Sequence, residues 1–259
     1  MLAVERRNII IEQLKSEKKV VVSQLSGLFN VSDETIRRDL DRLCREGVAA
    51  KSYGGAVLME NDNSIDFPFN VRKDHQSAEK KKIAELIEDL VQDGESVILD
   101  ASTTAVFAAK LLKSKKRLTV ITNSIEVMLE LADMTDGRGD WRVLSTGGSL
   151  KGDYFALVGP HTMSGLAPFY ADKLIFSCKG LDAKRGIFDS NDDFAQVKRA
   201  MLQSARVKIL AADLTKFDKI AFSKIADIGD IDVVVTDTQP DERWMDGLDM
   251  WGVQCVWPE

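Results

Sequence analysis

Residues 29–40 read Phe-Asn-Val-Ser-Asp-Glu-Thr-Ile-Arg-Arg-Asp-Leu, and this stretch predicts a tight turn followed by a helix. Asn30 ends one helix at the turn, and Ser32 is a good N-cap for the next helix. Acidic side chains come directly after Ser32, where the positive end of a helix dipole favours them. Apolar and polar residues of the new helix fall on different faces, Ile36, Leu40 and Leu43 on one and Thr35, Arg38 and Arg42 on another. The pattern predicts an amphipathic helix with a basic exposed face.

Two more helices are predicted upstream of this one. Residues 4–17 form the first, with Arg6 and Arg7 on its polar side. After a break at two lysines, Ser23 is predicted to cap a short second helix that ends at Asn30. Three short helices, of which the last two are joined by a tight turn, are typical of a helix-turn-helix. In that motif the third helix enters the major groove of DNA.

A hairpin is predicted directly after the third helix. Residues 48–58 follow Gly47, are extended, and contain Ser52-Tyr-Gly-Gly55, which has the composition of a hairpin turn. A hairpin in this place is a wing, so residues 1–58 are predicted to form a winged helix-turn-helix. The residues expected to contact DNA are Ser32, Thr35, Arg37, Arg38, Arg42, Lys51, Tyr53, Gly54 and Gly55. Periodicity alone leaves open a generic three-helix bundle that carries a solvated basic helix.

A second domain follows a linker. Residues 59–70 are polar and contain a proline, so we place the linker over 59–75 and the second domain over 76–259. A helix over 76–92 opens that domain, and Lys80 to Lys82 are expected to be exposed on it. Strands then alternate with helices, which indicates a parallel sheet with helices on both faces. The predicted strands are 96–99, 118–121, 142–144, 173–176, 208–211 and 232–235, and the predicted helices between them are 103–112, 124–133, 160–166 and 193–205.

Polar residues follow five of these strands, at the edge where parallel sheets bind their ligands. Two of the segments open helices, so their hydroxyl and backbone N–H groups are available to an anion. Others supply glycines that allow a close approach of the backbone, positive charge, or oxygens that bond sugar hydroxyls. The expected effector-binding residues are Asp100, Ser102, Thr103, Thr104, Thr122, Asn123, Ser124, Gly147, Gly148, Lys179, Asp182 and Lys216.

These residue types predict a phosphorylated sugar as the ligand. Two lysines and a threonine-rich helix start would be costly to desolvate without an anion to compensate them. The aspartates and Asn123 suit the hydroxyl groups of a sugar. A nucleotide is disfavoured, because the chain has neither a Walker A sequence nor a Gly-x-Gly-x-x-Gly segment.

Both halves of the chain resemble one protein family. Residues 29–40, with Leu43, Gly47 and Tyr53-Gly-Gly-Ala56, resemble the N-terminal signature of the DeoR family of bacterial transcriptional regulators. The second domain resembles the DeoR-type sensor domain, whose fold is similar to that of ribose-5-phosphate isomerase. The segments that carry this second resemblance are Asp100-Ala-Ser-Thr-Thr104, Thr122-Asn-Ser124, Gly147-Gly148 and Asp213-x-x-Lys216.

The resemblance implies a transcription regulator, most often a repressor, of a carbohydrate-catabolism operon that responds to a phosphorylated sugar. Three residues depart from the family pattern: Lys51 stands for arginine, Tyr53 for histidine and Ser102 for glycine. The segments 100–104, 176–182 and 189–191 look most like the subgroup associated with fucose or rhamnose. The effector expected from that subgroup is a ketohexose or 6-deoxyketohexose 1-phosphate.

Composition excludes several classes of protein. The chain has 259 residues and a net charge of -6, but residues 1–58 carry 10 basic and 8 acidic residues, so only the predicted DNA-binding part is basic. No apolar run approaches the roughly 20 residues that span a membrane. The N-terminus becomes charged at the fifth residue and does not resemble a signal peptide. Three widely spaced cysteines and two histidines predict a cytoplasmic protein with no metal site and no cofactor.

Two other functions are compatible with parts of this pattern. Asp100, Asp182 and Lys216 have the acid–base chemistry to move protons between sugar carbons, as in a sugar-phosphate isomerase with an accessory DNA-binding domain. A DNA-bound architectural protein without a ligand is the third hypothesis, and the polar strand ends argue against it. A single winged domain makes few base contacts, so paired half-sites and a homo-oligomer are expected.

Overall fold

The computed structural model describes residues 2–45, 48–58, 69–74, 76–135 and 140–258. The chain divides into two compact units, Met1–Val71 and Arg72–Glu259. The predicted DNA-binding segment falls within the first unit, which we call the head. The predicted sensor segment falls within the second, which we call the body.

The head is a winged helix-turn-helix, as the sequence predicts. Its elements are α1 (Ala3–Glu17), β1 (Lys19–Val21), α2 (Val22–Phe29), α3 (Asp33–Arg45), β2 (Ala49–Ser52) and β3 (Gly55–Leu58). The three strands form an antiparallel sheet in the order β1-β3-β2, so β1 adds a third strand to the wing hairpin.

The turn between α2 and α3 forms where the sequence places it. Asn30 ends α2 in the left-handed conformation, at φ 51° and ψ 49°, which asparagine tolerates better than most residues. The Ser32 hydroxyl then accepts the backbone N–H of Thr35 at 3.3 Å and caps α3. Apolar residues from all three helices and the small sheet form one core: Ile10, Leu14, Val20, Val22, Leu25, Ile36, Leu40, Leu43, Val48, Ala49 and Ala56.

A buried ion pair joins α1 to α3. Arg6 Nε lies 2.6 Å from Asp39 Oδ2, and both side chains are less than 10% exposed. Arg7 adds a longer contact of 3.4 Å to the other oxygen of Asp39. The prediction that Arg6 lies on the polar face of α1 is therefore wrong. The position of Arg6 on its own helix does not reveal that Asp39, 33 residues later, comes to meet it.

The start of α2 also differs from the prediction. Ser23 does not cap this helix, because α2 begins one residue earlier at Val22 and Val21 is its N-cap. The preceding residues Lys19–Val21 form β1, which pairs with β3. A three-residue strand leaves almost no periodic signal, and its pairing partner lies more than 30 residues away.

The predicted linker contains one helix. Residues 59–68 and residue 75 lie outside the described residues. Residues Phe69–Asp74 between them form helix α4, which the sequence analysis did not predict.

The body alternates strands and helices. Its helices are α5 (Ser77–Leu90), α6 (Thr103–Leu112), α7 (Ile125–Glu130), α8 (Pro160–Leu166), α9 (Asp192–Gln203) and α10 (Glu242–Met250). Its strands are β4 (Ser96–Leu99), β5 (Thr119–Thr122), β6 (Arg142–Ser145), β7 (Ser149–Lys151), β8 (Ala156–Val158), β9 (Ala171–Phe176), β10 (Gly180–Asp182), β11 (Gly186–Asp189), β12 (Ala205–Ala211), β13 (Ser223–Ala226), β14 (Val233–Val235) and β15 (Gln254–Val256).

A parallel sheet forms the centre of the body. Within the described residues it has seven strands in the order β15-β14-β12-β9-β4-β5-β6. All its neighbouring strands are parallel, so all carboxyl ends lie at one edge. The six predicted strands are confirmed in it. The last three residues of β4, β5, β9, β12 and β14 are buried, as expected for apolar runs covered on both faces, whereas those of the edge strand β6 are half-buried or exposed.

Several features of the body are absent from the sequence prediction. The strand β15 at one edge of the parallel sheet was not predicted. Two antiparallel sheets were not predicted either, the β7–β8 hairpin and the three strands β10-β11-β13. The predicted helix 124–133 is α7 followed by a 3-10 turn over Ala132–Thr135. These elements are mostly three or four residues long, and tertiary pairing stabilises them more than local preference does.

Two kinds of feature are absent from the described part of the chain. None of its helices is long and apolar enough to cross a membrane. None of its histidine, cysteine, aspartate and glutamate side chains forms a group of three placed to hold a metal ion.

Candidate functional site

The helix α3 presents a basic surface to solvent. Arg37, Arg38 and Arg42 are exposed, and Thr35 is half-buried near the start of the helix. Arg38 forms an ion pair with Glu34 at 3.3 Å, in which both side chains are more than half exposed. An exposed pair of this kind contributes little to stability, so a DNA phosphate or base edge can replace Glu34 at little cost. The structure thus leaves the predicted contact residues of α3 accessible.

The wing is exposed at the residues predicted to contact DNA. Tyr53 at its turn is fully exposed. Lys51 on β2 is also exposed, and its ammonium lies 2.8 Å from Asp41 of α3. The hydrogen bond from Lys51 lowers the pKa of Asp41. This contact links the wing to α3, so the two predicted DNA-contact surfaces lie side by side in the head.

The two glycines of the wing are required for different local reasons. Gly54 has φ +75°, a conformation that residues with a side chain rarely adopt. Gly55 has ordinary backbone angles, but a Cβ there would lie 1.9 Å from the carbonyl oxygen of Val20 on β1. Gly55 therefore lets β1 pack against the wing.

In the body, the order of strands reverses between β4 and β9. Ligands of parallel sheets bind beyond the strand ends at such a switch point. Asp100 follows β4 and accepts the backbone N–H of Ser102 and that of Ser177, which follows β9, each at 3.1 Å. Asp100 is nearly fully buried. Its two carboxylate oxygens thus tie the two strand ends together at the switch point.

A lysine that was not among the predicted site residues also connects the two strand ends. Lys198 on α9 lies 2.6 Å from Asp189 Oδ2 and 3.4 Å from Asp100 Oδ2. Its ammonium also donates to the Ser177 carbonyl oxygen at 2.7 Å. Burial alone would lower the pKa of Lys198, but the two carboxylates more than offset it and raise the pKa, so the ammonium stays charged. The sequence carried one signal for the burial of Lys198, because it lies four residues after Phe194 and therefore on the same, buried face of α9.

The helix α6 begins at the same edge with unused donors. The Ser102 hydroxyl accepts the N–H of Ala105 at 3.1 Å and caps the helix. Thr103 and Thr104 are buried, and neither hydroxyl makes a hydrogen bond within the part of the chain that the structure describes. The first N–H groups of a helix have no acceptor within the helix. Thr103 and Thr104 can therefore offer hydroxyl and N–H donors to an anion.

The end of β5 carries an unpaired acceptor. Thr122 and Ser124 are used locally: the Thr122 hydroxyl donates to the Leu99 carbonyl oxygen at 2.7 Å, and the Ser124 hydroxyl caps α7. Asn123 Nδ2 donates to the Leu157 carbonyl oxygen at 2.9 Å, which fixes the orientation of the amide. Asn123 Oδ1 is then buried without a hydrogen-bond partner among the described residues. A buried unpaired oxygen is uncommon and suits a hydroxyl group supplied by a ligand.

The glycines after β6 have unequal surroundings. Gly147 has φ +68° with open space where a Cβ would stand, which leaves its backbone accessible. Gly148 has φ +117°, and a Cβ there would lie 1.9 Å from the Thr162 hydroxyl oxygen. That hydroxyl donates to the Gly147 carbonyl oxygen at 2.7 Å. Gly148 is thus required by packing on α8. Because β6 ends the sheet, both glycines lie two strands away from β4.

Lys216 lies at the edge of the parallel sheet, after β12. It ends a 3-10 turn over Leu214–Lys216, which the Asp213 carboxylate caps by accepting the N–H of Thr215 at 3.0 Å. Its positive charge acts on the buried Cys178 thiol, which follows β9, although burial raises the pKa of that thiol to about 12. The structure therefore brings Lys216 to the same edge as Asp100.

Asp182 lies in the small antiparallel sheet, and Lys179 directly precedes its first strand β10. Asp182 ends β10, and its carboxylate accepts the N–H groups of Lys184 and Arg185 at 3.1 and 2.9 Å. It thereby stabilises the turn of the β10–β11 hairpin. The backbone N–H of Lys179 pairs with the carbonyl oxygen of Phe188 in the same hairpin. The sequence analysis predicted that both residues follow a strand of the parallel sheet, but it did not predict the hairpin that they belong to.

Both domains match models of one protein family. Residues 6–62 match the DeoR-like helix-turn-helix domain, and residues 75–238 match the DeoR C terminal sensor domain. The chain is 37% identical to the HTH-type transcriptional regulator YulB of Bacillus subtilis, over 96% of this chain and 94% of that protein. It is 29% identical to the glycerol-3-phosphate regulon repressor of Escherichia coli, over 93% of each chain.

A solved structure of ribose 5-phosphate isomerase A from Methanocaldococcus jannaschii is similar over 55% of each chain, with 14% identity and a TM-score of 0.40. The family assignment rests on the two domain models, which cover head and body together. The chain belongs to the DeoR family of transcriptional regulators.

Proposed function

We propose that this protein represses a carbohydrate-catabolism operon and releases its operator when a phosphorylated sugar binds the body. The observation that carries the sensing role is a complementary set of polar groups at one sheet edge. Thr103 and Thr104 offer unused donors, and Asn123 Oδ1 is an unpaired acceptor. A phosphate takes up donors of this kind, and a sugar hydroxyl satisfies the acceptor. The exposed arginines of α3 support the DNA-binding role.

The effector we propose is phosphorylated. The Escherichia coli relative is named as the repressor of the glycerol-3-phosphate regulon, and glycerol 3-phosphate is a phosphorylated compound. A ketohexose or 6-deoxyketohexose 1-phosphate combines the anion with the hydroxyl groups that the site calls for. Neither relative described above names a fucose or rhamnose pathway, so the deoxyhexose remains a prediction.

A sensor is favoured over an isomerase by the state of the carboxylates. Proton transfer needs a carboxylate that can reach the substrate. Both oxygens of Asp100 already accept hydrogen bonds, and Asp182 stabilises a turn. We therefore propose that the protein is not an enzyme. Incubation with pentose and hexose phosphates tests this point, and conversion to the isomeric sugar phosphate would contradict it.

The protein is proposed to act as a homo-oligomer in the cytoplasm. A winged domain presents one recognition helix, and useful specificity comes from two such helices on paired half-sites. Sedimentation of the full chain tests the assembly. A monomer at the concentrations that bind operator would contradict it.

The proposed function is tested by DNA release. Full-length protein is titrated onto DNA from its own promoter region, with fructose 1-phosphate, fuculose 1-phosphate and rhamnulose 1-phosphate, and with the matching free sugars. We expect a phosphorylated sugar to weaken operator binding tenfold to a hundredfold, which requires about 1.4–2.8 kcal/mol of differential binding.

Matched variants sharpen this experiment. Thr103→Val should bind DNA normally but lose the response to the phosphorylated sugar. Thr135→Val, at an exposed residue whose hydroxyl donates only to Ala132, should behave as wild type. Ligand-strengthened operator binding would contradict the proposed direction, and a response confined to free sugars would contradict the phosphate.

A further inference from the structure

The helix α4 lies where the two units of the chain join, and its second half contacts the body. The boundary between the units falls inside this helix, between Val71 and Arg72. The guanidinium of Arg72 lies over the ring of Tyr154, 5.3 Å from the ring centroid. The ammonium of Lys73 lies 3.6 Å from a carboxylate oxygen of Glu126. Two successive side chains of α4 thus hold it on the body.

A further contact holds the main chain of the helix. The Lys80 ammonium, in the first turn of α5, donates a hydrogen bond to the Arg72 carbonyl oxygen. The four side chains of the cation–π contact and the ion pair are half-buried: Arg72, Lys73, Glu126 and Tyr154. Contacts of these two kinds are weak when they are partly exposed to water. The side-chain contacts of α4 can therefore form and break at little cost in free energy.

Both partners of α4 lie beside the proposed effector site. Glu126 is in the first turn of α7, three residues after Asn123, whose Oδ1 is the acceptor assigned above to a sugar hydroxyl. Tyr154 ends the 3-10 turn that joins β7 to β8. Its ring packs edge-on against Phe194 in the first turn of α9, with the ring centroids 5.0 Å apart. The contacts of α4 are therefore made by segments at the carboxyl-end edge of the parallel sheet.

Hydrogen bonds join these two segments directly. The Asn123 carbonyl oxygen accepts the N–H of Leu157 on β8 at 2.7 Å, and Asn123 Nδ2 donates to the Leu157 carbonyl oxygen at 2.9 Å. The N–H of Ile125 donates to the Phe155 carbonyl oxygen at 2.8 Å. Because Phe155 follows Tyr154 in the chain, a ligand that fixes Asn123 also fixes both surfaces on which α4 rests.

We propose that α4 is a latch between the effector site and the head, and that the bound effector favours the arrangement in which α4 is docked on the body. This inference rests on the proposed function, because it assumes an effector at Asn123 and release of the operator. A ligand shifts an equilibrium only by binding one arrangement better than the other. The docked arrangement is favoured because its segment around Asn123 is the one that presents the acceptor.

The docked latch should lower operator affinity by shortening the connection between the units. Undocking α4 would add its six residues, about 20 Å of extended chain, to that connection. Two heads of an oligomer on neighbouring half-sites must lie about 34 Å apart, one turn of DNA. A shorter connection restricts the positions that the heads can reach. Ligand-stabilised docking therefore acts in the direction of operator release.

The first test compares Tyr154→Leu with Tyr154→Phe in the full-length protein on operator DNA. Leucine keeps an apolar contact with Phe194 but offers no ring to Arg72, whereas phenylalanine keeps the ring. The ligand is whichever of fructose 1-phosphate, fuculose 1-phosphate and rhamnulose 1-phosphate releases wild type most strongly. It should weaken operator binding tenfold to a hundredfold in wild type and in Tyr154→Phe, but less than threefold in Tyr154→Leu. A full response of Tyr154→Leu would overturn the inference.

The second test exchanges the charges of the ion pair. Lys73→Glu and Glu126→Lys each bring like charges together and should reduce the response to the sugar phosphate, whereas the double variant restores the pair and should recover most of it. Lys110→Glu is the control, because Lys110 lies 4.0 Å from Glu130 at the other end of α7 and has a similar exposure. Equal responses of the single and double exchange variants would overturn the inference.

Binding of the ligand itself separates a failed latch from a failed sensor. Because coupling is reciprocal, operator DNA should weaken the binding of the sugar phosphate to wild type by the same tenfold to a hundredfold, but by less than threefold for Tyr154→Leu. A folded Tyr154→Leu protein that binds no sugar phosphate would overturn the inference, because Tyr154 would then be part of the site. Wild type that responds to no sugar phosphate would contradict the proposed function itself.

Discussion

On α3 of the head, Arg37, Arg38 and Arg42 are exposed, and the ion pair of Arg38 with Glu34 lies in solvent. At the switch point of the body, Lys198 bonds to Asp100 and Asp189, and all three side chains are at most 11% exposed. The comparison separates two uses of charge. A surface that binds DNA needs charged side chains that can exchange their local partners for phosphates at little cost in free energy. A pocket for a small anion needs strand ends that are held in place before the ligand arrives.

The same contrast holds for the motif residues. In the head, Ser32, Gly54 and Gly55 build the scaffold, while the arginines and Tyr53 remain accessible. In the body, most motif residues are taken up by the scaffold, and only a few groups stay available for a ligand. The groups that stay available include the donors of Thr103 and Thr104, the Asn123 oxygen and the backbone of Gly147. The following variants test this division, from the largest expected effect to the smallest.

Removal of the buried ammonium of Lys198 should have the largest effect. Lys198→Met leaves Asp100 and Asp189 buried without their cation, which typically costs about 3–5 kcal/mol. The four tryptophans lie after residue 140, so tryptophan fluorescence during urea unfolding follows the body alone. Lys81→Met serves as the control. A loss below about 1 kcal/mol would show that the Lys198 network does not stabilise the body.

An added methyl group at Gly55 should disrupt the wing. Gly55→Ala places a Cβ against the Val20 carbonyl oxygen, and relief of that clash must move backbone, at a cost of about 1–3 kcal/mol or more. Gly27→Ala is the matched control, because a Cβ there meets nothing within 4 Å. Operator affinity from mobility shift and head stability from circular dichroism should both fall for Gly55→Ala only. Equal behaviour of the two variants would contradict the close packing of β1 on the wing.

Loss of one arginine of α3 should weaken DNA binding without affecting the fold. Arg38→Ala removes one phosphate or base contact and the exposed pair with Glu34, so operator affinity should fall by about 1–3 kcal/mol. Circular dichroism of the variant should match wild type. Unchanged affinity at fixed salt would show that this face of α3 does not read the operator.

The prediction that Lys80 is exposed like Lys81 and Lys82 is wrong, because Lys80 is only 6% exposed. Neutralising Lys80 should stabilise the body slightly. The pKa of Lys80 in the folded protein is lowered to about 8, so the charged lysine destabilises the fold below that pH. The free energy of unfolding therefore rises with pH from about 8 until the lysine also loses its proton in the unfolded chain. Lys80→Met should therefore gain about 1–2 kcal/mol at pH 7, a gain that shrinks between pH 8 and about 10.5. Urea unfolding followed by tryptophan fluorescence at pH 7 and pH 10 measures it. A loss of stability at pH 7 would show that the contacts of the Lys80 ammonium, such as the hydrogen bond to the Arg72 carbonyl oxygen, outweigh the cost of burying its charge.

Local signals in the sequence predict the elements and the location of the sites. The turn at Asn30, the cap at Ser32 and the spacing of apolar residues along α3 each depend on neighbours within about four residues. The six apolar runs predict the parallel strands for the same reason. Because the strands are parallel, the polar residues that follow them meet at one edge, and the sequence indicates this without coordinates.

The sequence by itself therefore determined the winged head, the parallel sheet and the edge at which a ligand would bind. Only the tertiary structure decided which charged side chains are buried and which residues are their partners. Arg6 meets Asp39 across the head, and Lys198 meets Asp100 because α9 covers the point where β4 and β9 are neighbours. The stripes that bury Lys80 and Lys198 are visible at helical spacing, but a lysine there normally predicts an exposed side chain. A buried charge is stable only when distant segments supply its partners, and the order of strands in space fixes those partners.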